Sequence, residues 1–208
     1  MNKSNVVVRN ADFEDIRPIV RIHMEAFERF FLTCLGPAFL RTFYTTLVED
    51  HFSLAFVSES RDGLTGFALG ASESKGMHSR LMRRRWLRMG LAASPALIRR
   101  PAAVMRIAKM FHAQKSKASE VSTKRNRALL MSFAVDPRAQ KLGHGRQLID
   151  AFCNKCKEVG CSAVELTTDA RDNDTVRAFY ERNGFAVEEL FEAHGGRQML
   201  RYVRNLVE

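Results

Sequence analysis

An apolar run, Ala128–Val135, broken only by Ser132, leads through Asp136-Pro137 to two glycines spaced two apart, Gly143 and Gly145. An amphipathic stretch follows, with Leu148, Ile149, Phe152, Cys156 and Val159 at helical spacing. The run suits the centre of a sheet, buried on both faces, and the stretch after it reads as a helix. Glycines at such a strand-to-helix turn let backbone N–H groups converge on one point. The helix adds its unpaired first N–H groups and the positive end of its dipole. Lys141 and Arg146 supply mobile positive charge. The segment therefore suits a phosphate or pyrophosphate, with a ligand-free Gly-rich turn as the alternative. It is not a dinucleotide fingerprint, because Leu148 stands where a third Gly or Ala is needed. Nor is it a P-loop, because Arg146 and Gln147 follow Gly145.

The rest of the chain frames this segment. Val6-Val7-Val8 reads as a first strand, and Asp12-Phe13-Glu14-Asp15 as the start of a helix carrying Ile16, Ile19, Val20, Phe27, Phe30 and Phe31. Gly36-Pro37 opens a second helix with Phe39, Leu40, Phe43 and Leu47 on one face. Ser53–Glu59 and Leu64–Ala71 read as strands joined by Arg61-Asp62-Gly63. Gly66 and Gly70 weaken the second of these, or let a ligand approach its backbone. After the helix that stops at Gly160 come a strand, Ala163–Thr168, and a short helix opened by Asp172-Asn173-Asp174 and ended by Asn183-Gly184. Two final strands, Phe185–Phe191 and Gln198–Val203, flank His194-Gly195-Gly196. The order predicts an α/β fold of the mixed α+β type, one domain over 1–208, with a mostly helical insertion at 75–127 between strands 3 and 4.

Val135-x-Pro137-x-x-Gln140-x-x-Gly143-x-Gly145 resembles the acyl-coenzyme A loop of the GNAT superfamily of N-acetyltransferases. Asn173, followed by Ala178-Phe179-Tyr180-x-x-Asn183-Gly184-Phe185, resembles the second signature of that family. The resemblance covers roughly 1–74 and 128–205 and leaves the insertion out. It implies that the strand ending at Val135 and the strand Ala163–Thr168 splay apart around the pantetheine arm of acetyl-CoA. Backbone groups of Phe133, Ala134 and Val135 would line that arm. Gln140, Lys141, Leu142, Gly143, His144, Gly145 and Arg146 would wrap the pyrophosphate. Asn173 would bond the pantetheine or a nearby water, and Tyr180 would aim its hydroxyl at the sulfur. On spacing alone, Tyr180 reads equally as a core aromatic.

The chemistry so implied is attack of a primary amine on a thioester, with an oxyanion held by a strand-edge N–H near Val135 and the departing thiolate protonated by Tyr180. The base is not legible. Leu129–Val135 holds no acid, and Asp136 reads as a strand-ending residue. Glu73 is the candidate, with a solvated surface charge as its alternative; His78 and His112 are secondary, and His144 reads as a cofactor contact rather than a base. The rival function is a non-catalytic acyl-coenzyme A sensor on the same fold. A protein or peptide acceptor competes with the favoured small molecule or amino sugar.

Net charge is +10, but residues 75–127 hold fifteen Lys/Arg against the single acid Glu120, so the remainder is net acidic. The insertion reads as a helical lid with solvated bases, as a lid binding an anionic acceptor, or as an amphipathic surface. In that third reading, residues 80–111 rest on anionic lipid at the inner face of a membrane. Nucleic acid is the least favoured partner, because Trp86 is the lone strong stacking platform. A homodimer is expected from the resemblance. Cys153 and Cys156 form a C-x-x-C pair within a helical pattern, with Cys161 nearby, and no second pair completes a zinc set; buried apolar roles, no metal and a cytoplasmic location are the expectations.

Overall fold

The computed structural model describes residues 6–28, 30–72, 126–193 and 196–207. Glu73, His78, His112, His194, Gly195, and all of the basic insertion except Asn126 and Arg127 lie outside the described residues.

Among the described residues seven strands form one sheet: β1 (Val7–Asn10), β2 (Ser53–Ser60), β3 (Gly63–Ala71), β4 (Arg127–Val135), β5 (Ala163–Asp169), β6 (Ala186–Ala193) and β7 (Arg197–Asn205), in spatial order β1-β2-β3-β4-β5-β7-β6. Every neighbouring pair is antiparallel except β4 and β5, which run parallel. The helices among the described residues are α1 (Ile16–Ala26), α2 (Phe31–Cys34), α3 (Gly36–Val48), α4 (His144–Glu158) and α5 (Asp174–Arg182). Helix α1 ends at Ala26, earlier than the periodicity suggests, and Phe27, Phe30 and Phe31 belong to a turn and to α2. Asp15 is not a cap in the usual sense. Its buried carboxylate accepts from Arg9 at 2.7 and 2.9 Å, tying the start of α1 to β1.

Strand alternation sorts the core into two layers. Phe67 and Leu69 face α1 and α3, packing with Ile19, Ile22, Leu40 and Leu47. Ala68 faces the other way, with Leu148, Ile149 and Phe152 of α4 and Tyr180 of α5. Gly66 and Gly70 are required by this packing rather than by a ligand. A Cβ on Gly70 would lie 2.1 Å from the Leu129 carbonyl oxygen, and one on Gly66 would lie 2.9 Å from that of Ala134.

Both helices next to the site end in the same motif. In α5, Gly184 N–H bonds the Glu181 carbonyl and Phe185 N–H bonds the Tyr180 carbonyl, with Gly184 left-handed at φ +79. In α4, Gly160 N–H reaches Lys157 and Cys161 N–H reaches Cys156. These are Schellman ends, whose apolar contact joins the residues at the two poles of the turn. The contacts are Phe185 on Tyr180, 5.7 Å between ring centroids, and Cys161 beside Cys156. Cys153 and Cys156 are buried, and burial pushes the Cys153 thiol up to about 11. That is the small apolar role expected for them.

Candidate active site

β4 and β5 pair only at Arg127–Leu129 with Ala163–Glu165. Beyond that point β4 continues along β3 to Val135, and β5 continues along β7 to Asp169. The sheet therefore parts over the last six residues of β4, a run of about 20 Å. Which backbone groups face the gap follows from one hydrogen bond. Asp136 N–H donates to the Thr65 carbonyl on β3 at 2.8 Å. Alternation turns the polar groups of Ala134 and Ser132 the same way, and sends those of Phe133 and Val135 to the free edge. Gln140 Nε2 approaches the Val135 carbonyl there at 3.5 Å. Phe133 and Val135 are thus placed as the resemblance implies, whereas Ala134 gives its backbone to β3.

At the open end of the gap, Asp136 anchors the loop. Its buried carboxylate accepts from Arg138 N–H at 3.0 Å, from the Arg138 guanidinium at 3.0 and 2.9 Å, and from Arg21 of α1 at 2.9 Å. The two guanidiniums hold it well below the usual carboxylate range. A group so committed to its charge is a clamp and not a base. After a turn at Pro137–Ala139, Lys141 and Gly143 take left-handed conformations, φ +64 and +89, and α4 starts at His144. The first described intrahelical bond runs from Gln147 N–H to the Gly143 carbonyl. The N–H groups of His144, Gly145 and Arg146 therefore point out of the helix end unspent. No acid lies in this first turn, and the side chains of Lys141, Leu142 and Arg146 are exposed. Among the described residues Arg146 reaches only Asp150, at 3.6 Å. Positive dipole, free amides and two mobile cations converge on one point.

Two loop residues differ from expectation. The His144 ring is 2% exposed and lines a cavity bounded by α1, the β2–β3 turn and Arg138, away from the loop's outer surface. Only its backbone N–H is left for an anion, and burial lowers its basicity. Gly145 is an ordinary helical residue whose missing Cβ admits the Phe179 ring of α5.

Asn173 opens α5 without capping it. Its amide nitrogen donates to Thr168 Oγ1 at 2.7 Å and to the Asp169 carbonyl at 3.2 Å, which leaves its carbonyl oxygen as the face for a ligand. The Tyr180 ring is buried against Phe133, Phe179, Phe185 and Tyr202. Burial pushes its phenol far above its ordinary value, so it holds its proton at neutral pH. Sequence reasoning missed a second buried polar group. His23 of α1, Tyr44 of α3 and Ser132 of β4 form a hydrogen-bonded chain, with contacts of 2.6 and 2.8 Å. Of the three, only Ser132 carried a signal, as the lone polar residue of an apolar strand.

The sequence matches the acetyltransferase (GNAT) family over residues 17–185. No protein of curated function matches it. Among solved structures it is similar to Ard1 from Thermoplasma volcanium, at 18% identity over 98% of this chain and 99% of that one, TM-score 0.61. It is similar to the ribosomal-protein-S18-alanine N-acetyltransferase of Escherichia coli, at 15% identity over 98% and 95%, TM-score 0.60. It is also similar to the PaiA N-acetyltransferase of Thermoplasma acidophilum in complex with coenzyme A, at 13% identity over 97% and 99%, TM-score 0.55.

Proposed function

This chain belongs to the acetyltransferase (GNAT) family and is an acyltransferase, and on that premise we propose that it moves an acetyl group from acetyl-coenzyme A to a primary amine of a small molecule or amino sugar. The observation that carries the reading is the coincidence of two features. The sheet parts after Leu129, and the gap opens directly onto the unspent N–H groups of α4. Bound acetyl-coenzyme A supplies an activated thioester. The free-edge groups of Phe133 and Val135 pair with its pantetheine amides, and Asn173 Oδ1 accepts from the same arm. The loop 140–146 grips the pyrophosphate, with Lys141 and Arg146 neutralising it.

A backbone N–H of the same free edge stabilises the oxyanion. Tyr180 donates a hydrogen bond to the departing sulfur. Its proton is held more tightly than a thiol's, whose ordinary pKa is about 8.5, so it stabilises the thiolate without giving the proton up. Glu73 is the proposed acceptor of the amine's proton; β3 ends two residues before it, at Ala71, opposite Leu129 where the gap closes. Holding amine and thioester in line accounts for about 7 kcal/mol or more of the barrier reduction.

The test is thermal unfolding with and without coenzyme A, joined to thiol release from acetyl-coenzyme A with a panel of amines. A rise in Tm and amine-dependent thiol release are expected. A protein whose Tm ignores coenzyme A does not have this function. A protein stabilised by it that never turns over is a sensor instead. The basic stretch 80–111 is proposed to meet anionic acceptors or lipid, and sedimentation with anionic and neutral vesicles separates the two.

A further inference from the structure

β4 carries one polar side chain between Ala128 and Val135, and the fold gives that side chain a support that packing does not need. The register between β3 and β4 slips at Leu69/Gly70, so Ser132 faces Leu69, Leu130 faces Gly70, and Met131 has no partner. The bulge turns two consecutive residues to the α1/α3 face. Met131 packs into that layer, and Ser132 Oγ lies 2.8 Å from Tyr44 Oη. Tyr44 is fully buried, and its hydroxyl also lies 2.6 Å from His23 Nδ1. His23 is 2% exposed, packs on Phe27 at 4.8 Å, and its Nε2 has no partner among the described residues. A core built only for stability gains nothing from three linked polar groups with one end unpaired, since a buried polar group without a partner destabilises the fold.

We infer that Ser132 is the side chain that receives the acceptor amine, with Tyr44 and His23 as positioning residues behind it. This rests on the acetyltransferase reading above. The polarity of the chain follows from acid strength. A phenol is a far stronger acid than an alkyl hydroxyl, and a neutral imidazole nitrogen is the stronger acceptor, so Tyr44 donates to His23 Nδ1. Tyr44 Oη then accepts from the Ser132 hydroxyl, which leaves the Ser132 lone pairs to accept an N–H from an incoming uncharged amine. Ser132 precedes Phe133, whose N–H faces the gap, and consecutive residues are about 3.8 Å apart. An amine held at Ser132 is therefore within one residue of a thioester carbonyl held at that edge. Ser132 keeps its own proton and forms no bond to the acyl carbon. It directs the nitrogen lone pair.

The experiment uses an isosteric pair, Ser132→Thr and Ser132→Val, with acetyl-coenzyme A and hydroxylamine as a small uncharged amine, reading thiol release. Both side chains are β-branched and equal in shape, so packing costs cancel. Ser132→Thr is expected to stay within about threefold of wild type in kcat, and Ser132→Val to lose about tenfold, with KM for acetyl-coenzyme A unchanged in both. Tyr44→Phe is expected to lose about fivefold alone and nothing further in the Ser132→Val background, whereas a merely structural role would add. Equal kcat for the Thr and Val variants, or additive losses, overturns the inference while the enzyme assignment stands. Wild type that releases no thiol above the protein-free rate, with hydroxylamine or with any amine of the panel, overturns the acetyltransferase reading and this inference with it.

Discussion

The Phe179 ring fills the space that a side chain at Gly145 would need: a Cβ there would stand 3.2 Å from Phe179 Cε2 and 3.4 Å from Val135 Cγ2. Helix α4 thereby touches α5 and the end of β4 at one point, beside the loop. Phe179 cannot easily retreat, because it stacks on Phe133 at 5.4 Å and 25°. Gly145→Ala gains up to about 1 kcal/mol of helix propensity and loses about 1–3 kcal/mol to overpacking, for a small net loss. Phe179→Leu in the same chain should recover most of it. Urea unfolding of the four-member cycle reads the coupling, and simple additivity would refute the contact.

Gly143 poses the opposite case. It is left-handed with nothing within 4 Å of a built Cβ, so space is free and only conformation resists. Gly143→Ala should cost about 1 kcal/mol of stability and leave most coenzyme A affinity intact. Gly143→Asp carries the same strain and adds a negative charge at the helix end. Its coenzyme A-induced rise in Tm should vanish. Equal affinity in the two variants would mean that the anion does not sit there.

Tyr180→Phe removes a hydroxyl with no hydrogen bond recorded among the described residues, while the ring keeps its four aromatic neighbours. Stability should hardly change. If the hydroxyl meets the departing sulfur, kcat falls about a hundredfold with KM for acetyl-coenzyme A unchanged. A variant as fast as wild type would return Tyr180 to the core.

Acid should weaken the fold before its carboxylates titrate. His23 is lowered from 6.5 to about 4 by burial, and His144 is lowered for the same reason. Between pH 6.5 and 4 the unfolded chain binds a proton at His23 that the folded chain refuses. Stability is thus full above pH 6.5 and falls toward pH 4, by about 3 kcal/mol from His23. Asp15 and Asp136 are shifted down and lose their contribution only at lower pH, while Glu165, shifted up by burial, works in the opposite direction. Urea unfolding across this window should show a shallower slope in His23→Leu. An unchanged slope would rule His23 out as its source.

The elements around the site were legible because their signals are local. The apolar run of β4, the face of α4 and the Asn183-Gly184-Phe185 end of α5 each lie within one element or its cap. The same reading left Gly66 and Gly70 open to ligand approach and saw Gly145 only as a loop amide, whereas neighbouring chain fills the space beside all three. It placed His144 on the cofactor, and the helix start leaves only its backbone N–H for that part, because the ring is buried. Asp136 was rightly kept from the role of base, but its partner Arg21 lies 115 positions away, and Tyr44 lies 88 from Ser132. Nothing in a linear spacing announces pairs so distant.

The sequence by itself determined the parts: a strand, a left-handed glycine and a helix start able to gather amide hydrogens, and a helix ending that fixes Tyr180. Those depend on bond geometry and on hydrogen bonds a few residues long, which act before the chain has folded. The tertiary structure alone decided where the sheet opens, which edge of β4 is free, and that a bulge turns Ser132 toward Tyr44 and His23. These follow from register and close packing across the sheet, where contacts form only once remote segments share one core.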